Sequence, residues 1–150
     1  MPFDLMFRVA NFAALACWIG LVFLPRSRLL RQAMHVVVVG GLCVLYAVLI
    51  NVYFFRVEGG GFSSLSAVQL LFQSPAVALA GWVHYLAFDL LVGCWIADRS
   101  DAIGLSRWVQ APILVTTFMF GPIGLLIFVA MERMHRLRPL PLPLTSPELK

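Results

Sequence analysis

The chain is predicted to be an all-α polytopic membrane protein: a bundle of four transmembrane helices, with a short interfacial helix between the second and the third. Three observations lead there. Of its 150 residues 61% are hydrophobic and 12% charged, too little charge to cover the surface of a soluble domain of this size. Four apolar runs, at about 5–24, 33–55, 75–96 and 108–131, each reach the roughly 20 residues with which a helix crosses about 30 Å of hydrocarbon. Runs such as Val36-Val37-Val38-Val39 and Leu125-Leu126-Ile127-Phe128-Val129 lack the alternation of a membrane β-strand, so helices must satisfy the backbone. Residues 1–138 form the transmembrane domain on this reading, and 139–150 a proline-rich extended tail.

The first span opens Met1-Pro2-Phe3-Asp4 without a basic region and ends at Pro25-Arg26, unlike a cleaved signal peptide, so the helix is expected to be retained. Asn11 in this span and Asn51 near the far end of the second are amides in apolar surroundings. Each is expected to hydrogen-bond a neighbouring helix, a contact worth about 1 kcal/mol. Gly40-Gly41, Gly81 and Gly93 lack side chains and favour close helix packing. Cys17, Cys43 and Cys94 are odd in number and fall on different spans, which reads as small apolar packing residues rather than a disulfide or a metal set.

The connection after the second span begins Arg56-Val57-Glu58-Gly59-Gly60-Gly61 and continues into a stretch where Leu65, Val68, Leu71 and Phe72 recur at three- and four-residue steps. That spacing predicts a short amphipathic helix lying in the interface.

The third span carries the strongest chemical signal. His84 and Asp89 stand inside an otherwise apolar stretch, where an ionisable group costs a few kcal/mol and faces protein, pairs with a partner or serves chemistry. At about 100° per residue the two lie roughly 140° apart around the helix. Trp82, Tyr85 and Asp89 share one face, on which the indole and the phenol can donate to the carboxyl; His84 and Phe88 share another.

The fourth span contains Phe118-Met119-Phe120-Gly121-Pro122. Pro122 lacks a backbone donor and clashes with the carbonyl four residues earlier, so a kink or break is expected there, with a freed carbonyl facing inward. Such a break either lines a cavity or only shapes packing.

The net charge of +4 comes from arginine-rich turns at headgroup level, not from a nucleic-acid footprint. Four crossings would set Arg8, Arg56, Arg133, Arg136, Arg138 and Lys150 on one side against Arg26, Arg28, Arg31, Arg99 and Arg107 on the other. So even a division leaves the orientation open.

The run Trp82-Val83-His84-Tyr85-Leu86-Ala87-Phe88-Asp89-Leu90, followed by Phe120-Gly121-Pro122-Ile123-Gly124-Leu125-Leu126, resembles the abscisic-acid-deficient-four-like family. These are four-helix membrane proteins whose plant members are needed to make neoxanthin from violaxanthin. No plastid targeting extension is expected ahead of the first span, so the chain looks like a bacterial relative, expected in the bacterial inner (cytoplasmic) membrane. The resemblance implies a carotenoid or related isoprenoid as ligand. It also implies a redox-neutral isomerisation that opens an epoxide while a proton leaves carbon, a reaction needing an acid and a base. His84 and Asp89 are the catalytic candidates. Tyr85 and Asn51 are candidate polar helpers, Trp82 and Phe88 candidate ring contacts, and Gly121 and Pro122 candidate pocket-shaping residues.

The alternative is a non-catalytic small subunit, homo-oligomer, or pigment-binding or assembly partner of a larger membrane complex, in which His84 and Asp89 only tie helices together. No phosphate loop, metal-ligand cluster or nucleophile elbow occurs in the sequence. The only ligand expected is a bound carotenoid or lipid.

Overall fold

The computed structural model describes residues 2–25 and 27–136; the proline-rich tail expected at 139–150 lies outside the described residues. The chain is all-helical there. Helix α1 spans Pro2–Phe23. Helix α2, Leu29–Arg56, starts behind Ser27, whose hydroxyl accepts from the Leu30 amide. It passes through a π-helical stretch at Met34–Val39 and closes in a 3-10 turn at Phe54–Arg56. Helix α3 (Leu65–Gln73) is the expected short amphipathic element, capped by Ser64, whose Oγ accepts from the Ala67 amide at 3.2 Å. Its inner face is centred on Ala67 and Leu71 rather than on Leu65 and Phe72, which are exposed.

Helix α4, Pro75–Ala102, begins with proline at a position where the missing donor costs nothing. It ends before Gly104, whose φ of +71° makes the turn into the next helix. Helices α1, α2 and α4 are long and apolar enough to cross a membrane. The apolar window of α4 is 50% buried, against 33% in α1 and 22% in α2, which makes α4 the axis of the bundle. It contributes to both core clusters: one formed with Cys17, Trp18, Leu21, Leu114 and Phe128, the other with Ala10, Ala14, Leu42 and Leu49. Two glycines let neighbours approach it closely. A Cβ at Gly81 would stand 2.6 Å from the Phe72 ring, and one at Gly93 would run into Trp18.

The last apolar run departs from expectation. Instead of one fourth span over 108–131, it forms two helices, α5 (Arg107–Phe120) and α6 (Pro122–Arg136), broken at Gly121. They fold back on each other. Leu105, just before α5, and Val109, in its first turn, line the same cavity as Met131, Met134 and His135, at the end of α6. Close to the bend, Gly124 packs directly on Thr117, leaving no room for a Cβ. Along α4 the register of α6 advances in the same sense: Gly121 meets Asp89, Phe128 packs edge-on to Trp95 with centroids 5.4 Å apart, and Glu132 pairs with Arg99. At 1.5 Å per residue each arm is only about 21–23 Å long, short of the hydrocarbon thickness. The physical reason is Pro122 directly after Gly121: the first lacks an amide and the second lacks a side chain, so the helix ends and the chain reverses.

The mouth of this hairpin is held by polar contacts. Arg99 Nε donates to Glu132 Oε1 at 2.6 Å, and Arg31 lies 3.4 Å from Asp98. The buried Gln110 donates to Asp101 Oδ1 at 2.9 Å and to the Leu105 carbonyl at 2.7 Å, while Arg107 donates to the Leu24 carbonyl.

Candidate functional site

The tip of the hairpin reaches the middle of α4. Asp89 is the fifteenth of the 28 residues of that helix, and its carboxylate abuts the backbone of Gly121. A Cβ built on Gly121 would overlap Asp89 Oδ1 and stand 3.0 Å from Oδ2. Only glycine therefore lets the tip sit on the carboxylate. Gly121 itself is buried, while Met119, Phe120, Pro122 and Ile123 around it are exposed on the outside of the bundle. The tip is apolar outward and places bare backbone against a carboxylate inward.

Tyr85 lies one turn before Asp89, and its phenol stands beside the Asp89 carboxylate. The hydroxyl also donates, over long contacts of 3.5 and 3.4 Å, to the carbonyls of Phe118 and Met119. These are among the last carbonyls of α5, which have no partner within their own helix. The freed Phe118 carbonyl expected from Pro122 is thus found facing inward, with Tyr85 as its donor. Asp89 is half-buried, yet its Oδ2 is shielded from solvent and has no hydrogen-bond partner among the described residues. An unpaired buried carboxylate oxygen is costly. It also leaves a lone pair free for a ligand or a proton.

Trp82 does not join this group. Its indole Nε1 donates to Asn11 Oδ1 at 3.1 Å, and its ring packs on Phe7 and Tyr85. The expected donation from the indole to Asp89 gives way to an interhelical bond that ties α1 to α4, which is the role expected for Asn11. Among the described residues Asn51 makes no such bond: it is exposed and donates to the Ala47 carbonyl of its own helix at 2.8 Å. In lipid an amide facing outward finds its nearest acceptor one turn back, so Asn51 stands away from Asp89.

His84 lies around the helix from Asp89, as the five-residue spacing requires. It is exposed, stacked on Phe88 with centroids 4.5 Å apart and tilted against Tyr46 at 5.3 Å. The imidazole borders a cavity of about 300 Å³ lined also by Tyr46, Phe54, Phe62, Phe72 and Gly81. Phe88 is 53% exposed on the outer surface. The two catalytic candidates therefore occupy separate environments with the body of α4 between them: Asp89 belongs to the hairpin tip, His84 to an aromatic groove under α3.

Sequence reasoning named Gly121 as a residue that shapes a pocket but did not place its backbone on Asp89. The signal was a Gly-Pro pair in an apolar run on one helix and a lone acid on another, with nothing to state their relative depth. The close pair of Thr117 and Gly124 was missed altogether. Cys17 and Cys94 are buried and Cys43 exposed, and none of the three takes part in a disulfide.

A family model described as ABA DEFICIENT 4-like matches residues 5–128, taking in every residue of the Asp89 site. No curated protein and no solved structure matches the chain.

Proposed function

The chain belongs to the ABA DEFICIENT 4-like family, and on that premise we propose that it binds or transforms a carotenoid or related isoprenoid within the bacterial cytoplasmic membrane, at the Asp89 site. Its long apolar helices and its family fit a membrane protein. The observation that carries the reading is the Asp89 carboxylate: shielded at one oxygen, without a hydrogen-bond partner there among the described residues, and set beside a phenol at the tip of the hairpin.

For an epoxide-type carotenoid the chemistry balances without oxidant or reductant. The epoxide C–O bond opens and its oxygen takes up a proton. A proton leaves the neighbouring carbon, and the C–H electrons become the new C=C of the product. The Asp89 carboxyl delivers or collects a proton, and the Tyr85 hydroxyl is the second proton-carrying group in the same place. Gly121 and Pro122, at the hairpin tip against Asp89, are the pocket-shaping residues of this proposal. His84, on the other side of α4, lines the aromatic groove in this reading and does not complete an acid–base pair with Asp89.

Pigment chromatography of a deletion strain tests it. Deletion is expected to change the carotenoid profile, the wild-type chain to restore it, and Asp89→Asn to fail while inserting normally. A profile that deletion leaves untouched sinks the carotenoid reading; full restoration by Asp89→Asn removes the carboxylate from it.

One observation favours a second, non-catalytic reading. The exposed stack of His84 on Phe88 places an imidazole on the outside of the bundle, with ring contacts alone among the described residues, a placement suited to a contact with a neighbouring copy or a larger membrane complex.

A further inference from the structure

We infer that this chain crosses the membrane three times, and that its last apolar run is a re-entrant hairpin entering from the cytoplasmic face and ending at Asp89 near the bilayer midplane. This inference does not depend on the carotenoid reading.

Alternating the three crossing helices assigns each connection to a face. The start of α1, the end of α2, helix α3 and the start of α4 lie together: Phe3 packs on Tyr53 with centroids 5.6 Å apart, and Phe3, Asp4 and Phe7 share a cavity with Pro75 and Ala78. The opposite face gathers the end of α1, the start of α2, the end of α4 and both ends of the hairpin, through the Arg107 bond to Leu24, the Arg31–Asp98 pair and the Arg99–Glu132 pair. A run that crossed a fourth time would carry Glu132 to the far face, away from Arg99. The 2.6 Å contact between them is incompatible with that.

The hairpin also resolves the charge balance. If α6 ended on the far face, the described helices would place Arg8, Arg56, Arg133 and Arg136 there against Arg28, Arg31, Arg99 and Arg107, four against four. With α6 folded back, the division is Arg8 and Arg56 against the other six. Basic residues close to span ends favour the cytoplasmic side. The hairpin mouth is therefore cytoplasmic, and the start of α1 faces away from the cytoplasm.

Membrane physics permits such a hairpin only where its broken backbone is covered by protein. That condition is met: Gly121 is buried against Asp89, the Phe118 and Met119 carbonyls receive the Tyr85 hydroxyl, and the exposed side chains at the tip are apolar. The consequence is directional. The Asp89 site lies at the inner end of an element rooted in the cytoplasmic face.

Single cysteines placed at the exposed positions Ala102 and Met134, in the chain with Cys17, Cys43 and Cys94 replaced by alanine, test the inference, with Glu58→Cys marking the other face. A membrane-impermeant maleimide is expected to label Ala102→Cys and Met134→Cys in inverted vesicles but not in spheroplasts, and Glu58→Cys in the reverse pattern. Labelling of Met134→Cys from the face opposite to Ala102→Cys overturns the hairpin. Labelling of both from outside overturns the orientation. A second measurement leaves the helices unaltered: a fluorescent protein fused after residue 150 should be bright and an alkaline phosphatase fused there silent. An active phosphatase also overturns the inference.

Discussion

Asp89 and His84 are five residues apart on one helix, and each had to be accommodated in an apolar bundle, yet the two faces of α4 handle them in opposite ways. The Asp89 face is closed by backbone: Gly121 stacks on the carboxylate, and Tyr85 bridges to the carbonyls of the broken helix. The His84 face is open, and the imidazole meets rings rather than polar partners. A closed polar contact is intolerant of added volume but holds a fixed geometry. An open aromatic groove tolerates change and specifies little. The contrast favours the Asp89 face as the place for chemistry and the His84 face as a surface for apolar company.

The sharpest way to break the comparison is to add one methyl group at the closed face. Gly121→Ala should cost about 1–3 kcal/mol of stability, because a side chain there overlaps the carboxylate; thermal unfolding in detergent measures it. Combining it with Asp89→Ala should recover part of that loss, and a strictly additive double variant would mean that the two residues do not touch as described. Tyr85→Phe should cost less, about 0.5–1.5 kcal/mol, since the bonds it removes are long. Asp89→Asn should stay within about 1 kcal/mol of wild type, because the oxygen it replaces has no described partner. Its effect belongs in the pigment profile, so a large loss of stability would move Asp89 from chemistry to structure. Smallest is His84→Phe, expected within about 0.5 kcal/mol because the stack on Phe88 survives the exchange. A substantial destabilisation there would show that the open face is not open.

Much of the fold was legible in the residues. Three spans follow from length and hydropathy, and the short amphipathic helix follows from the spacing of its apolar residues, while its Ser64 cap came only with the structure. The break at Gly121-Pro122 follows from the missing amide. The angular separation of His84 and Asp89 follows from helical pitch alone. What could not be read is the direction taken after the break. A kinked crossing and a hairpin share one hydropathy pattern, and the choice rests on contacts between residues far apart in sequence, such as Arg99 with Glu132. The hydrogen-bond partners of the polar side chains were equally hidden. Trp82 found Asn11 instead of Asp89, and Asn51 turned back on its own helix, because each took the acceptor that packing placed nearest.

The sequence by itself determined that this is a helical membrane protein, where its helices begin and break, and that a carboxyl and an imidazole point to different sides of one of them. These are consequences of apolar length, proline chemistry and a fixed rotation per residue. Only the tertiary structure decided that the last run turns back and that Asp89, not His84, is the group enclosed by it. Helix α4 is apolar on nearly every side, so no stripe marks its inner face. Which face is covered depends on the shapes that meet there, a bare glycine backbone on one side and a ring-lined groove on the other.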